Sequence, residues 1–251
     1  MSKQQHQKKR VLVTGGASGI GAAVVNFFDE IGEIVCSADI TQPSMSTKAA
    51  GMHLQGDVSS KEDVARITSM AIDKMGGIDV LVNSAGIADT IAPTADQDIE
   101  TWRKIIEINL TGTYLMCREV GMHMLQEGRG SVVNIASVAG ISGFPWRNAY
   151  SSSKAAVINL TRSLACEWGD RGVRVNCVAP GYIRTPLVDQ LESAGKIDTG
   201  HINGCTPLGR LGRPSEIAHA VAYLSSEWSS YVTGAIIPID GGWTAFGGRE
   251  R

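Results

Sequence analysis

Between Val11 and Asp39 the chain runs through a strand, a glycine turn, a helix, a second strand and an acid. No other stretch restricts the possible folds as strongly. Val11-Leu12-Val13 is a short apolar run that passes directly into Thr14-Gly15-Gly16-Ala17-Ser18-Gly19-Ile20-Gly21. An amphipathic segment continues to about Ile31, and Gly32 stands where a helix C-terminus is capped. Ile34-Val35-Cys36-Ser37-Ala38 is the second β-type run and ends on Asp39. This order is the sequence form of a mononucleotide-binding βαβ unit. Glycines at 15, 19 and 21 let the backbone approach a pyrophosphate and open a helix whose N-terminus favours negative charge. A glycine trio alone reads equally as a flexible turn; its place between strand and helix favours the nucleotide.

The alternation continues to the end of the chain. His53-Leu54 is a weak strand ending at Asp57, residues 60–75 read as a helix closed by Gly76-Gly77, and Val80-Leu81-Val82 is a buried strand ending in Asn83-Ser84-Ala85-Gly86. One long helix is predicted over 98–126, a strand over Val132-Val133-Asn134-Ile135 stopping at Ser137, and a helix from Tyr150 to about Trp168. Val173–Val178 is a strand stopped by Pro180-Gly181, residues 182–212 read as irregular, a helix opens near Pro214, and Ala235–Ile239 is the last strand. Strands alternating with helices predict an α/β fold with a doubly wound, seven-stranded parallel sheet and helices on both faces. Nothing divides the chain. The expectation is one domain over 10–251 behind a flexible tail at 1–9, with a substrate loop at about 186–212.

Composition narrows the function classes. A net charge of −2 makes no electrostatic case for nucleic acid or an anionic membrane. The first ten residues are polar and basic without an apolar core, and no apolar run reaches membrane-spanning length, so a cytoplasmic location is expected. Five scattered cysteines form no C-x-x-C pair and read as mostly buried free thiols; no metal site is expected.

Ligands of an open parallel sheet bind beyond the carboxyl ends of its strands. Asp39, Asp57, Asn83, Ser137 and Pro180-Gly181 all follow strands at that edge. Each is an ordinary turn residue taken singly; together they describe a site. Asp39 stands where an acid accepts hydrogen bonds from an adenosine ribose and repels a 2′-phosphate, and no Lys or Arg lies in Gly15–Gly21 or Ser37–Gln42. NAD is therefore expected over NADP. Tyr150 and Lys154 share a helix face one turn apart, where an ammonium favours the phenolate and makes the pair a plausible acid/base device. Alone, that pair occurs on many solvated helices.

The set Thr14-Gly15-x-x-x-Gly19-x-Gly21, Asn83-Ser84-Ala85-Gly86, Asn109, Ser137, Tyr150-x-x-x-Lys154 and Pro180-Gly181, in order from Val11 to Gly242, resembles the short-chain dehydrogenase/reductase family. The likeness implies a single-domain Rossmann fold and oxidoreductase activity on CH–OH groups. Tyr150 would be the acid/base, Lys154 would tune it and hold the nicotinamide ribose, and Ser137 would bind the reacting oxygen. Asn109 would hold a water linking Lys154 to solvent. Gly15, Ser18, Gly19, Ile20, Gly21, Asp39, Asp57, Val58, Asn83, Ala85, Gly86, Pro180, Gly181 and Ile183, with Tyr150 and Lys154, would line the cofactor, and Thr185 would contact its carboxamide. One departure is Ser84, where the family usually has a second Asn that supports the central sheet. The likeness also implies a homotetramer.

The substrate end is read from Ser137, Arg147, Tyr150 and Tyr182, with polar Asp89, Thr90, Asp198, His201 and Asn203 nearby in sequence and Trp146 as a possible flat wall. A polyol, a sugar or a related polar hydroxy compound is the leading expectation, and Arg147 leaves an anionic substrate open. A 3-oxoacyl-thioester reductase is the enzymatic alternative; a non-catalytic nucleotide-binding protein is the alternative of another class.

Overall fold

Seven short strands carry the core: β1 (Arg10–Thr14), β2 (Ile34–Asp39), β3 (His53–Gln55), β4 (Val80–Asn83), β5 (Gly130–Ile135), β6 (Val173–Pro180) and β7 (Ile236–Ile239). The computed structural model describes residues 8–42 and 52–247, and in it these strands form one all-parallel sheet in the order β3-β2-β1-β4-β5-β6-β7. The central strands are apolar runs because helices cover both their faces. Alternate side chains sort between the two layers. Leu12, Leu81, Val132 and Val175 pack with α2 (Lys61–Met75), α4 (Thr113–Glu127) and α5 (Asn148–Trp168). Val11, Val13, Val80, Val82, Val133 and Val178 pack with α1 (Gly19–Glu30) and α8 (Pro214–Leu224).

The long helix expected over 98–126 is not uniform. It is α3 (Ile99–Ile106), a π-helical turn over Glu107–Gly112, and α4. A π turn adds a residue to the helical repeat and re-aims the helix beyond it, and such turns concentrate at functional sites. The stretch expected to be irregular holds two short helices, α6 (Pro186–Ser193) and α7 (Thr199–Cys205). Both start on capping side chains: Thr185 Oγ1 accepts the Val188 N–H at 3.4 Å, and Asp198 Oδ1 accepts the His201 N–H at 3.1 Å. The short helix α9 (Trp243–Phe246) comes after β7.

Of the tail expected at 1–9, residues 1–7 lie outside the described residues, and Lys9 is not loose. Its amide donates to the Glu33 carboxylate at 2.5 Å and its ammonium to the Ser225 carbonyl. All five cysteines are free thiols; four are buried and Cys166 is exposed. Among the described residues no helix is long and apolar enough to cross a membrane.

A buried polar cluster ties the strands that carry the site to the helices behind them. Asn83 Nδ2 donates to Asn134 Oδ1 at 2.9 Å, Asn134 Nδ2 to Thr161 Oγ1 at 3.0 Å, and Thr161 Oγ1 to the Val157 carbonyl at 2.9 Å. Cys117 completes the cluster through contacts with Asn83 and Asn134, and burial pushes its thiol up to about 12. Sheet support, which the resemblance assigned to the position of Ser84, falls here to Asn83. Replacing Asn134 by Ala leaves Asn83 Nδ2 only the Cys117 sulfur to donate to and leaves the buried Thr161 hydroxyl without its donor. It should cost about 2–3 kcal/mol, read by urea denaturation as a lower midpoint at unchanged slope.

Candidate active site

The cleft at the carboxyl edge of the sheet opens at the reversal of strand order between β1 and β4, where an open parallel sheet leaves room for a ligand. It encloses about 680 Å³. Its floor at one end is the turn from β1 to α1. Gly15 has φ +67° and lies so close to Ala85 that a Cβ would come within 2.7 Å of the Ala85 backbone. A Cβ on Gly21 would collide with the Gly15 carbonyl. Ser18 precedes α1 without a side-chain cap, and Ser18, Gly19, Ile20 and Gly21 line the cleft, so the partial positive charge of that helix start lies at its wall.

Asp39 closes that end. Its Oδ2 accepts the Ala17 N–H at 3.1 Å, and Oδ1 accepts the amide and hydroxyl of Thr41, each at 3.0 Å. The carboxylate is thus held in one orientation on the cleft wall. Asp57 is held likewise by Ser59, and Val58 lies beside it on the same wall. The glycine cradle, the helix start and the oriented acid fit a dinucleotide laid from Asp39 towards the other end of the cleft.

That other end gathers Ser137, Tyr150, Lys154, Pro180, Gly181, Tyr182 and Ile183, while the Thr185 side chain lies next to Gly19 of the turn, 3.7 Å from where a Cβ on that glycine would stand. Lys154 is 5% exposed; its Nζ donates to the Ile135 carbonyl at 2.9 Å and stands 5.8 Å from the centre of the Tyr150 ring. Ser137 Oγ accepts the Ala139 N–H at 3.1 Å, which leaves its own proton available. Asn109, fully buried in the π turn, accepts the Ile87 N–H at 2.8 Å and donates to the Ile87 carbonyl at 2.9 Å and to Ser153 Oγ at 3.1 Å. Its side chain therefore braces the loop after β4 against α5. Gly86 fits between Asn109 and Lys154: a Cβ there would stand 3.1 Å from Asn109 Oδ1 and 3.5 Å from Lys154 Nζ.

Most residues expected from the sequence line this one cleft, including Gly15, Ser18, Gly19, Ile20, Gly21, Ala85 and Gly86. Asn83 does not; its side chain turns into the polar cluster beneath the sheet. Asp198, His201 and Asn203, which suggested a polyol, and Trp146 also lie off the cleft wall. The wall around the substrate end is instead aliphatic and aromatic, from Val138, Phe144, Leu187, Val188, Leu191 and Ile197. Phe144 is backed by Trp243, ring centres 5.0 Å apart. Burial raises the Tyr182 phenol, with Arg147 opposing the shift. Arg147 lines the cleft but is paired to Asp89 at 3.0 Å. The sequence offers both residues without joining them, because nothing local connects positions 58 apart.

A family described as enoyl-(acyl carrier protein) reductase matches residues 15–244. An uncharacterized short-chain type dehydrogenase/reductase of Sinorhizobium fredii is 43% identical over 251 residues, 97% of this chain, and the chain spans 45% of that protein's length. The cis-4-hydroxycyclohexanecarboxylate dehydrogenase of Sinomonas cyclohexanicum is 40% identical over 241 residues, covering 93% of this chain and 96% of the relative. Among solved structures, ElxO with NADP bound matches at a TM-score of 0.89 with 33% identity, over 95% of this chain and all of the other.

The glycine cradle has a direct test. Gly21→Ala forces the turn open against the Gly15 carbonyl and should destabilise it by about 1–3 kcal/mol. A lower thermal midpoint and weaker binding of a nicotinamide dinucleotide by calorimetry are the expected readings.

Proposed function

The chain belongs to the short-chain dehydrogenase/reductase family, and we propose that within it the protein moves a hydride between a secondary alcohol and NAD, with Tyr150 as acid/base. One observation carries the reading: a single cleft holds the glycine turn and Asp39 at one end and Ser137, Tyr150 and Lys154 at the other. A bound nicotinamide supplies the hydride acceptor. The chain's residues handle the oxygen and its proton. In oxidation Tyr150 as phenolate takes the hydroxyl proton, and the Ser137 hydroxyl donates to the same oxygen as charge develops on it. Lys154, anchored on the Ile135 carbonyl, has two further N–H groups to offer the nicotinamide ribose. Gly86 keeps the space between Asn109 and Lys154 free of side chain.

The oriented Asp39 carboxylate, with no basic residue in Gly15–Gly21 or Ser37–Gln42, supports NAD over NADP. It also weighs against the 3-oxoacyl-thioester reductase reading, whose NADPH needs a cation at the 2′-phosphate. The intact Tyr150 and Lys154 weigh against a non-catalytic role. Among secondary alcohols, the apolar walls favour a hydroxyl borne on a compact carbon skeleton of ring size. This modifies the polyol expectation, and a relative that is 40% identical is named for a hydroxycyclohexane carboxylate. A cytoplasmic homotetramer is part of the same reading; the half-exposed edge strand β7 and exposed Tyr114, Met122, Trp228 and Tyr231 offer apolar surface for self-association.

Tyr150→Phe should lower kcat by about a hundredfold or more while NAD affinity stays near that of the parent; near-normal turnover would remove Tyr150 from the chemistry. The parent enzyme should use NAD in preference to NADP, and Asp39→Asn should narrow that preference. Rates of both cofactors with a panel of cyclic alcohols, polyols and hydroxy acids, followed by NAD(P)H absorbance, measure cofactor and substrate choice together.

A further inference from the structure

The loop after β4 places a carboxylate where a chain seldom puts one. The Asp89 side chain is 4% exposed. Burial of a carboxylate is unfavourable unless each oxygen finds a donor, and both do: Oδ1 accepts Arg147 Nε–H at 3.0 Å and Oδ2 accepts the Tyr150 amide at 3.1 Å. Both partners stand at the start of α5. That helix has no capping side chain of its own, since Arg147 occupies the cap position and makes no such bond. First-turn amides carry partial positive charge and need an acceptor. Asp89 supplies it from 61 positions away, to the amide of Tyr150 itself.

Arg147 makes the arrangement more than a cap. Its guanidinium carbon lies 4.9 Å from the centre of the Tyr150 ring, and Lys154 Nζ lies 5.8 Å from it. The phenol is thus flanked by two cations, one of which is neutralised by Asp89. The other titratable or charged groups lining the cleft are Tyr182, Lys104, Asp39 and Asp57, the last two at the far, adenosine end. Two more bonds join the same segments: the Ala92 amide to the Trp146 carbonyl at 3.3 Å, and Asn148 Nδ2 to Thr94 Oγ1 at 2.8 Å. Trp146, next to Arg147, holds a left-handed φ of 65°, a conformation that non-glycine residues keep only when their surroundings enforce it. The other end of the loop is fastened to Asn109 through Ile87. One loop therefore carries the Ala85-Gly86 turn, the brace on Asn109 and the anchor of Tyr150.

We propose that Asp89 is a positioning residue for proton transfer: it fixes the Tyr150 backbone to the loop bearing the Ala85-Gly86 turn and balances the Arg147 charge over the phenol. The proposal rests on the reading of Tyr150 as acid/base. Its two functions separate chemically. Asp89→Asn keeps an acceptor for the Tyr150 amide but removes the charge, and Asp89→Ala removes both. Arg147→Met removes the cation alone.

The test uses the whole enzyme labelled with [ζ-13C]tyrosine, the Tyr150 resonance being assigned by its loss in Tyr150→Phe. An unbalanced guanidinium favours phenolate, so the Tyr150 resonance should titrate lower in Asp89→Asn than in the parent, and higher in Arg147→Met. The double variant should return towards the parent. With cyclohexanol and NAD, the acid limb of the kcat–pH profile should move the same way. Asp89→Ala should lose about tenfold in kcat at little change in KM, with Asp89→Asn recovering most of that loss. Unmoved titrations in Asp89→Asn and Arg147→Met, with any rate loss tracking lost thermal stability, would make Asp89 a helix cap only and overturn the proposal. Absence of turnover by the parent would count against the proposed function instead, and the titrations would still decide the role of Asp89.

Discussion

Parallel pairing of β1 with β2 on one side and β4 on the other is the constraint on which the remaining architecture depends. Each parallel neighbour must be reached by a crossover, so every strand ends at the same edge of the sheet. The chain winds outward in both directions from β1, and the crossovers therefore leave on opposite faces. A crevice opens where they part. The turn from β1 into α1 and the turn after β4 are neighbours there because their strands are neighbours. The close approach of Gly15 to Ala85 is that adjacency at atomic range.

The shape of the crevice depends on polar groups buried below and behind it. The sheet layers are apolar, yet Asn83, Asn134 and Thr161 form a hydrogen-bonded line through one of them. The Asn134 amide has a buried partner at each end, Asn83 and Thr161, and this line ties α5 to β4 and β5. Asn109 and Asp89 do the same from above, bonding the loop after β4 to the π turn and to the start of α5. Tyr150 and Lys154 are thus held by polar ties on two sides and by apolar packing along the body of their helix.

The segment between β6 and α8 is built on a different principle. α6 and α7 are short helices closed by local caps, and α6 turns Leu187, Val188 and Leu191 towards the cleft. Its charged residues pair among themselves on the outer surface, Arg184 with Asp189 and Glu192.

Much of the fold was legible in the chain because it is written in short-range patterns. The strand segments, the glycine turn and the Tyr150–Lys154 spacing each lie within a few residues, and the periodicities of strand and helix are local properties. The edge at which Asp39, Ser137 and Pro180 meet is set by the alternation alone, since parallel strands share one carboxyl edge. The inward turn of Asn83 was not legible, because only its neighbours Asn134 and Thr161 determine which face of the strand end it serves. The π turn within the long helix escaped for the same reason. So did the partnership of Asp89 with Arg147 and Tyr150, which joins segments about sixty positions apart. The sequence by itself determined which groups could do chemistry and which edge of the sheet they would share. Only the tertiary structure decided how they are held and what the walls around them offer a substrate, because hydrogen-bond partners and packing neighbours in this fold come from distant segments that no local pattern relates.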